Sequence, residues 1–445
     1  MLQILDRTSR ILMLLGVVAV AACTVRTEPY RTAALPKTAG YASAVPAGHT
    51  GYSNRSLADL FVLLTHGLEN GEFRKSLQRF EEPVNIGMTG AGSKNYTNFL
   101  NRLVNQIRRE AGVPIAVGAA PHNLLVRFVP GEEFLPRTSN QCVVIFGQPT
   151  WSEYKTDPRR YNARASQRID RQTTMSVFIP DTIEPYKVRE CLLEEVTQAL
   201  GTANDLYGLG SSIFNDDNAH TWPTSLDYLM LRVLYDDTMQ SGLSRDETRR
   251  RAVRVLNRIN PQGRTAPALP KIQQRRFGTW RRALLGHSRI SDKGVALAQA
   301  RGLARTAKYK APRTAYDCTG ASFLANVARD HDAPDEALLV DRAIRICTAV
   351  HGANDVRVAL LRLTRSYGHL DNDRFQEARD EVEAVLPILL AHALDGSVAA
   401  AYIVQTAAAW RLEDPAWDKE ILKRAAAWSA FAYGDDHELT VKLRP

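Results

Sequence analysis

The stretch that decides the fold is Cys191-Leu-Leu-Glu-Glu-Val-Thr-Gln-Ala-Leu-Gly-Thr-Ala-Asn-Asp205. Pro185 stands where a helix starts well and Gly201 where one ends, so a helix is expected from Tyr186 to Leu200. On it Glu194 and Gln198, one turn apart, share a face and can hold a water between them. Glu194 and Glu195 diverge by about 100° and cannot act as one acid pair. Beyond Gly201 the chain turns back, and Asn204 and Asp205 are expected to converge with Glu194 and Gln198.

Upstream, Leu57, Leu60, Phe61, Leu64 and Leu68 mark a helix from Ser56 to about Arg74, with Gly71 near its end. Pro83 to Thr89 alternates like a strand, Tyr96 to Gly112 repeats apolar residues at helical spacing, and residues 123–129, 142–146 and 174–179 read as three more strands. The order is mixed α/β.

That order, together with the frame above, resembles the metzincin metallopeptidases. Their H-E-x-x-H-x-x-G-x-x-H motif puts two histidines on one helix face and uses the glycine to deliver a third ligand. In this chain Glu194 takes the first histidine position, Glu195 that of the catalytic acid, Gln198 the second histidine and Asn204 the third, with Gly201 kept at the turn. Ser212-Ile213-Phe214 stands where metzincins carry a Ser-Ile-Met turn, and Leu226-Asp227 with Leu231 and Leu234-Tyr235 resembles the closing helix of matrixin-like members. With Arg79-Phe80 before Pro83-Val84 and the string Ser212 to Asp216, the region from Leu77 to Asp237 resembles a bacterial family of unknown function, the one numbered 2927. The resemblance implies an α+β zincin-like domain and no particular reaction.

Zinc takes imidazole, thiolate or carboxylate ligands, and a Gln amide replaces them poorly, so no metal and no cofactor is expected. Three readings of the frame remain. Its side chains hydrogen-bond one another and hold an old cleft now used for binding. Alternatively, Glu194, Gln198, Asn204 and Asp205 form an oxygen-rich set suited to a harder cation. In the third, Glu194 and Gln198 activate a water, with Glu195 beside them, in a metal-free hydrolysis similar to that of glutamic peptidases. Glu194, Glu195 and Gln198 are therefore the candidate catalytic residues, and Asn204 and Asp205 the candidate binding residues. His66, His122 and His220 have no partner at ligand spacing.

The chain opens with Arg7 and Arg10, an uncharged apolar run from Ile11 to Ala22, and then Cys23. Twelve apolar residues are too few for a span of about twenty, but suit a signal peptide. Val20-Ala21-Ala22-Cys23 resembles a bacterial lipobox, which implies lipidation of Cys23. Thr24 after the cysteine implies sorting to the periplasmic face of the outer membrane. The other four cysteines make an even count in an oxidising compartment. Proximity favours Cys142 with Cys191 and Cys318 with Cys347 among the three connectivities, with free thiols as the alternative.

The formal charge of +9 is unevenly placed. Between Arg245 and Arg313 there are 19 basic and three acidic residues, a net of +16, which leaves −7 for the rest. In a periplasmic protein this points to anionic lipid or lipopolysaccharide rather than nucleic acid. The alternative is a helical linker whose arginines pair with neighbouring acids. From Tyr316 the chain is Ala-rich, and Arg342-Ala343 with Gly352 to Asp355 recurs as Arg424-Ala425 with Gly434 to His437, 82 residues later. At the half-step Ala384 is expected on the same column and Gly396 near the glycine position. The segment resembles tetratricopeptide repeats, which implies protein partners. The expected layout is a signal peptide (residues 1–22), a tether (23–55), a zincin-like domain (56–243), a basic helical linker (244–315) and an all-α helical-repeat domain (316–445).

Overall fold

A computed structural model describes residues 26–444, except 39, 42–44, 47, 69–70, 135–141, 162–168, 207–208, 216–218, 270–279, 281–282, 285–286, 288–289 and 413–418. The expected signal peptide and Cys23 therefore lie outside the described residues. The chain divides into two compact units. One comprises Ala44–Asp181 and Lys187–Arg281, and the other the N-terminal segment to Ser43, Thr182–Tyr186 and Arg282–Pro445.

The first unit is α/β. It contains α1 (Asn54–His66), β1 (Val84–Thr89), α2 (Thr97–Ala111), β2 (Ile115–Val117), β3 (Leu124–Val129), α3 (Gly131–Phe134), β4 (Val143–Phe146), α4 (Trp151–Thr156) and β5 (Met175–Pro180). Then come α5 (Pro185–Gln198), α6 (Ser225–Leu234) and α7 (Arg245–Ile259). The five strands form one sheet in the order β2-β1-β3-β5-β4, parallel except for the antiparallel edge strand β4. β5 lies between β3 and β4 and is buried along its whole length, which is why its sequence is nearly continuous in apolar residues. The strand β2 goes beyond the four expected, because three residues, Ile115-Ala116-Val117, are too few to show alternation.

The disulfide Cys142–Cys191, with 5.9 Å between Cα atoms, ties the residue preceding β4 to the middle of α5. Helix α1 stops at His66, well short of Arg74. The Asn204 side chain donates to the Leu63 carbonyl at 2.7 Å, and Gly67, bridged to Phe73, begins a return turn. A Cβ on Gly67 would collide with the Asn204 amide.

The basic stretch is not one linker, which corrects the expected 244–315 boundary. Its first part is α7, whose Thr248, Ala252, Val255 and Leu256 are buried within the α/β unit. Its arginines meet carboxylates of that unit: Arg249 with Asp59, Arg258 with Asp236, and Arg250 and Arg251 with Glu247 at 2.6 and 2.7 Å. The last part belongs to the second unit as its first long helix.

That unit is all-α. It comprises α8 (Lys293–Lys310), α9 (Ala315–Asp330), α10 (Glu336–His351), α11 (Val356–Asp371), α12 (Phe375–Ala391), α13 (Asp395–Arg411), α14 (Lys419–Tyr433) and α15 (Glu438–Leu443), each packed on the next. The turns that follow α10, α12 and α14 have positive φ at Gly352 (94°), Ala393 (51°) and Gly434 (115°), spaced by 41 residues each. The half-step is therefore real, but its turn residue is Ala393 and not Gly396. Ala384 is exposed, whereas Ala378, Val382, Val385 and Leu389 of α12 are as fully buried as Ala343 and Ala425. Cys318 on α9 bonds to Cys347 on α10, with 4.8 Å between Cα atoms.

The stretch expected as a tether is packed over much of its described length. Arg26 pairs with Asp436 at 2.5 Å, and the Asp435 amide donates to the Arg31 carbonyl at 2.7 Å. Trp428 Nε1 donates to Thr38, and the Tyr41 hydroxyl to Asp395 at 2.5 Å, with the Tyr41 ring against Trp428 and Phe431. The composition looked like a linker, but Tyr30 and Tyr41 carry enough apolar surface to pack on the last helices. No helix among the described residues is long and apolar enough to cross a membrane.

Candidate functional site

Helix α5 follows β5 directly and presents the expected frame. Its C-terminal carbonyls are met by a closing turn, in which the Leu200 and Gly201 amides donate to Thr197 and Gln198 at 3.2 and 2.9 Å, and by side chains beyond it. Gln172 Nε2 donates to the Ala199 carbonyl, the Tyr235 hydroxyl to Leu200 at 3.1 Å, and Thr202 Oγ1 to Thr197 at 3.3 Å. Gly201 then takes φ +127°, where a Cβ would lie 2.7 Å from the Gln78 carbonyl oxygen. Only glycine suits that backbone.

The turn carries Asp205 back to the helix. Gln198 Nε2 donates to Asp205 Oδ1 at 2.8 Å and lies 3.4 Å from Glu194 Oε1, so Gln198 brings Glu194 and Asp205 together. Gln198 and Asp205 are both buried. The Asn204 amide nitrogen donates to the Leu63 carbonyl of α1, as described. Glu195 is buried and faces differently from Glu194, as the helical angle requires. Its charge, after burial itself, helps push the Tyr154 hydroxyl pKa up. Tyr154 sits in the aromatic cluster of Phe134, Trp151 and Phe178.

The segment Ser212-Ile213-Phe214 runs alongside, since the Leu206 amide donates to the Phe214 carbonyl at 2.8 Å. It is held by Asp227 on α6. The fully buried Asp227 carboxylate accepts from Ser212 Oγ at 2.5 Å and from the amides of Ile213 and Thr224 at 3.1 and 2.7 Å. Burial raises its pKa to about 6 against the opposing pull of those hydrogen bonds. Thr224 and Asp227 also form the capping box of α6.

Sequence reasoning missed Gln172 as the partner of the helix end and Tyr154 as the neighbour of Glu195. Neither carries a motif that spacing alone reveals. The remaining histidines are engaged elsewhere: His66 Nε2 lies 3.0 Å from Thr248 Oγ1, and His122 Nε2 2.9 Å from the Gly118 carbonyl. Among the described residues no group of three or more His, Cys, Asp or Glu is placed to hold a metal ion.

Residues 54–253 match the family DUF2927, described as a protein of unknown function. The DUF2927 match is wider than the resemblance from Leu77 to Asp237, because it takes in α1 and more than half of α7. That agrees with α7 belonging to the α/β unit. The residues that marked the DUF2927 resemblance gather round the end of α5. Arg79 donates to the Leu234 carbonyl at 2.7 Å and lies over the Tyr235 ring, while Phe80 is bridged to Gln172. They form the mounting of the frame helix. No curated protein and no solved structure matches the chain.

Proposed function

We propose that this chain is a lipid-anchored protein of the bacterial envelope, on the periplasmic face of the outer membrane. In this reading a zincin-derived α/β domain serves binding rather than catalysis, and a tetratricopeptide-like helical domain recruits protein partners. The observation that carries it is Gln198. At the position where metal chemistry needs an imidazole stands a buried amide that spends its N–H on Asp205 at 2.8 Å. An amide so committed fixes the turn after Gly201 and holds the cleft in shape. The same bond weighs against a Glu194/Gln198 pair sharing an activated water, since the contact to Glu194 is the longer one at 3.4 Å. The zincin descent is supported by the frame helix directly after the last strand, by Gly201 at the turn and by Ser212–Phe214 next to the cluster. The repeat reading is supported by helix pairs whose turns recur every 41 residues.

Anion binding by the α7 part of the basic stretch loses support, because its arginines are largely paired within their own unit. The test is metal analysis of the purified mature protein together with a peptidase screen of it and of Glu195→Gln. The expected result is no stoichiometric metal and no turnover that depends on Glu195. Turnover lost in Glu195→Gln would establish the hydrolase instead. Separately, Cys23→Ser should move the protein to the soluble periplasmic fraction, and unchanged fractionation would remove the anchor from the account.

A further inference from the structure

The first three helices of the all-α unit enclose a groove of about 450 Å³, within the size range of ligand sites. Its floor is apolar, built from Ala321 and Leu324 of α9 and Leu339 and Ile346 of α10. Its rim is cationic: Arg301, Arg305 and Lys308 line up along α8, and Arg342 faces them from α10. Two carboxylates also line it. Arg301 Nη2 lies 3.0 Å from both carboxylate oxygens of Asp335, and Asp317 accepts the Arg313 amide at 3.0 Å. Arg305, Lys308 and Arg342 are exposed and have no carboxylate partner among the described residues. In a protein whose other arginines are so often matched to acids, three exposed cations without a carboxylate partner round an apolar floor make a surface complementary to an acidic occupant.

We infer that this groove docks an acidic segment of a partner protein, its carboxylates on Arg305, Lys308 and Arg342 and an apolar side chain on the floor. Arginine offers a planar fork that matches a carboxylate, and the apolar floor rewards a side chain that a free anion lacks. A protein segment is favoured over a phospholipid by where the N-terminal segment lies. Arg26 to Tyr41 is held against α13, α14 and α15, at the opposite end of the helical series from α8. Cys23 stands three residues before Arg26, a reach of about 10 Å. A lipid there would hold the last helices, rather than α8, next to the bilayer. This step rests on the lipoprotein reading above.

The test uses the mature chain carrying Cys23→Ser in solution, so it does not depend on anchoring. The probe is a labelled pool of hexapeptides randomised over Asp, Glu, Leu and Phe, compared with a matched pool of Asn, Gln, Leu and Phe. Phosphatidylglycerol vesicles serve as competitor. The acidic pool should bind saturably, with affinity falling as salt rises, and the amide pool should not. Arg305→Glu with Arg342→Glu should weaken binding at least tenfold. Arg345→Glu, on α10 but outside the groove, should change it less than twofold. A cooperative thermal melt by circular dichroism, at the wild-type midpoint, shows that the variants are folded. Absence of saturable binding, equal weakening by Arg345→Glu, or vesicles that displace the peptide through Arg305 and Arg342 would each overturn the inference. Failure of Cys23→Ser to change fractionation would instead remove the anchor and leave the peptide measurement standing.

Discussion

The buried Asp227 carboxylate gives the site a pH dependence that can be isolated. Burial raises its folded pKa from 3.8 to about 6, so between these values the folded protein holds a proton that the unfolded chain has released. Stability must then fall as pH rises through that window, and the loss is complete above about pH 6. A shift of this size corresponds to about 3 kcal/mol. His66 works in the opposite direction. Burial lowers its pKa from 6.5 to about 4, so it costs stability as pH falls through nearly the same range. The wild-type curve therefore mixes two opposing slopes, and the informative quantity is the difference between wild type and Asp227→Asn. The amide is the same size and keeps one acceptor for Ser212, Ile213 and Thr224, but does not titrate. Urea unfolding from pH 3.5 to 7, read by pulse-labelling mass spectrometry on peptides of α6, should show wild type losing about 3 kcal/mol relative to the variant across the range. A difference that stays flat would refute the burial argument. One that grows with pH would mean that the three hydrogen bonds outweigh burial.

The disulfide Cys142–Cys191 closes a loop of 49 residues, for which loop-closure entropy gives about 4 kcal/mol. Cys142→Ser with Cys191→Ser should lower the stability of the α/β unit by that order in denaturant titration. Free thiols at both positions in alkylated wild-type protein would contradict the pairing. On the N-terminal segment, Tyr41→Ala removes the hydrogen bond to Asp395 and the ring contacts to Trp428 and Phe431. Trypsin should then cut after Arg31 and Lys37 several times faster than in wild type, and an unchanged rate would mean that the segment opens independently of Tyr41.

What could be read in advance followed the range of the interactions involved. The frame from Glu194 to Asp205 was legible because helical spacing and the Gly201 turn are local properties, and strands β1, β3, β4 and β5 because each carries an alternating or continuous apolar run of strand length. The end of α1 was not, since it is set by Asn204, about 140 residues away in sequence. The orientation of Asn204 was lost for the same reason: its histidine-equivalent position suggested the cleft, while a carbonyl of α1 claimed its amide. In the repeats, Gly352 and Gly434 announced their turns, but Ala393 adopts the same backbone without a glycine and drew the alignment to Gly396. The basic stretch looked like one region in composition because charge counts ignore partners. Asp59, far from it in sequence, and Asp236, just outside it, divide it by pairing with α7.

The central claim is that Gln198 serves as a structural link in the place of a metal ligand, and a double-mutant cycle between Gln198→Ala and Asp205→Ala tests it most directly. The readout is native-state hydrogen exchange of α5 amides. A hydrogen bond to a buried carboxylate is worth about 1.5 to 3 kcal/mol, so the account predicts a coupling above about 1 kcal/mol, with both single variants loosening the end of α5. A coupling near zero, with α5 as protected in both variants as in wild type, would contradict it.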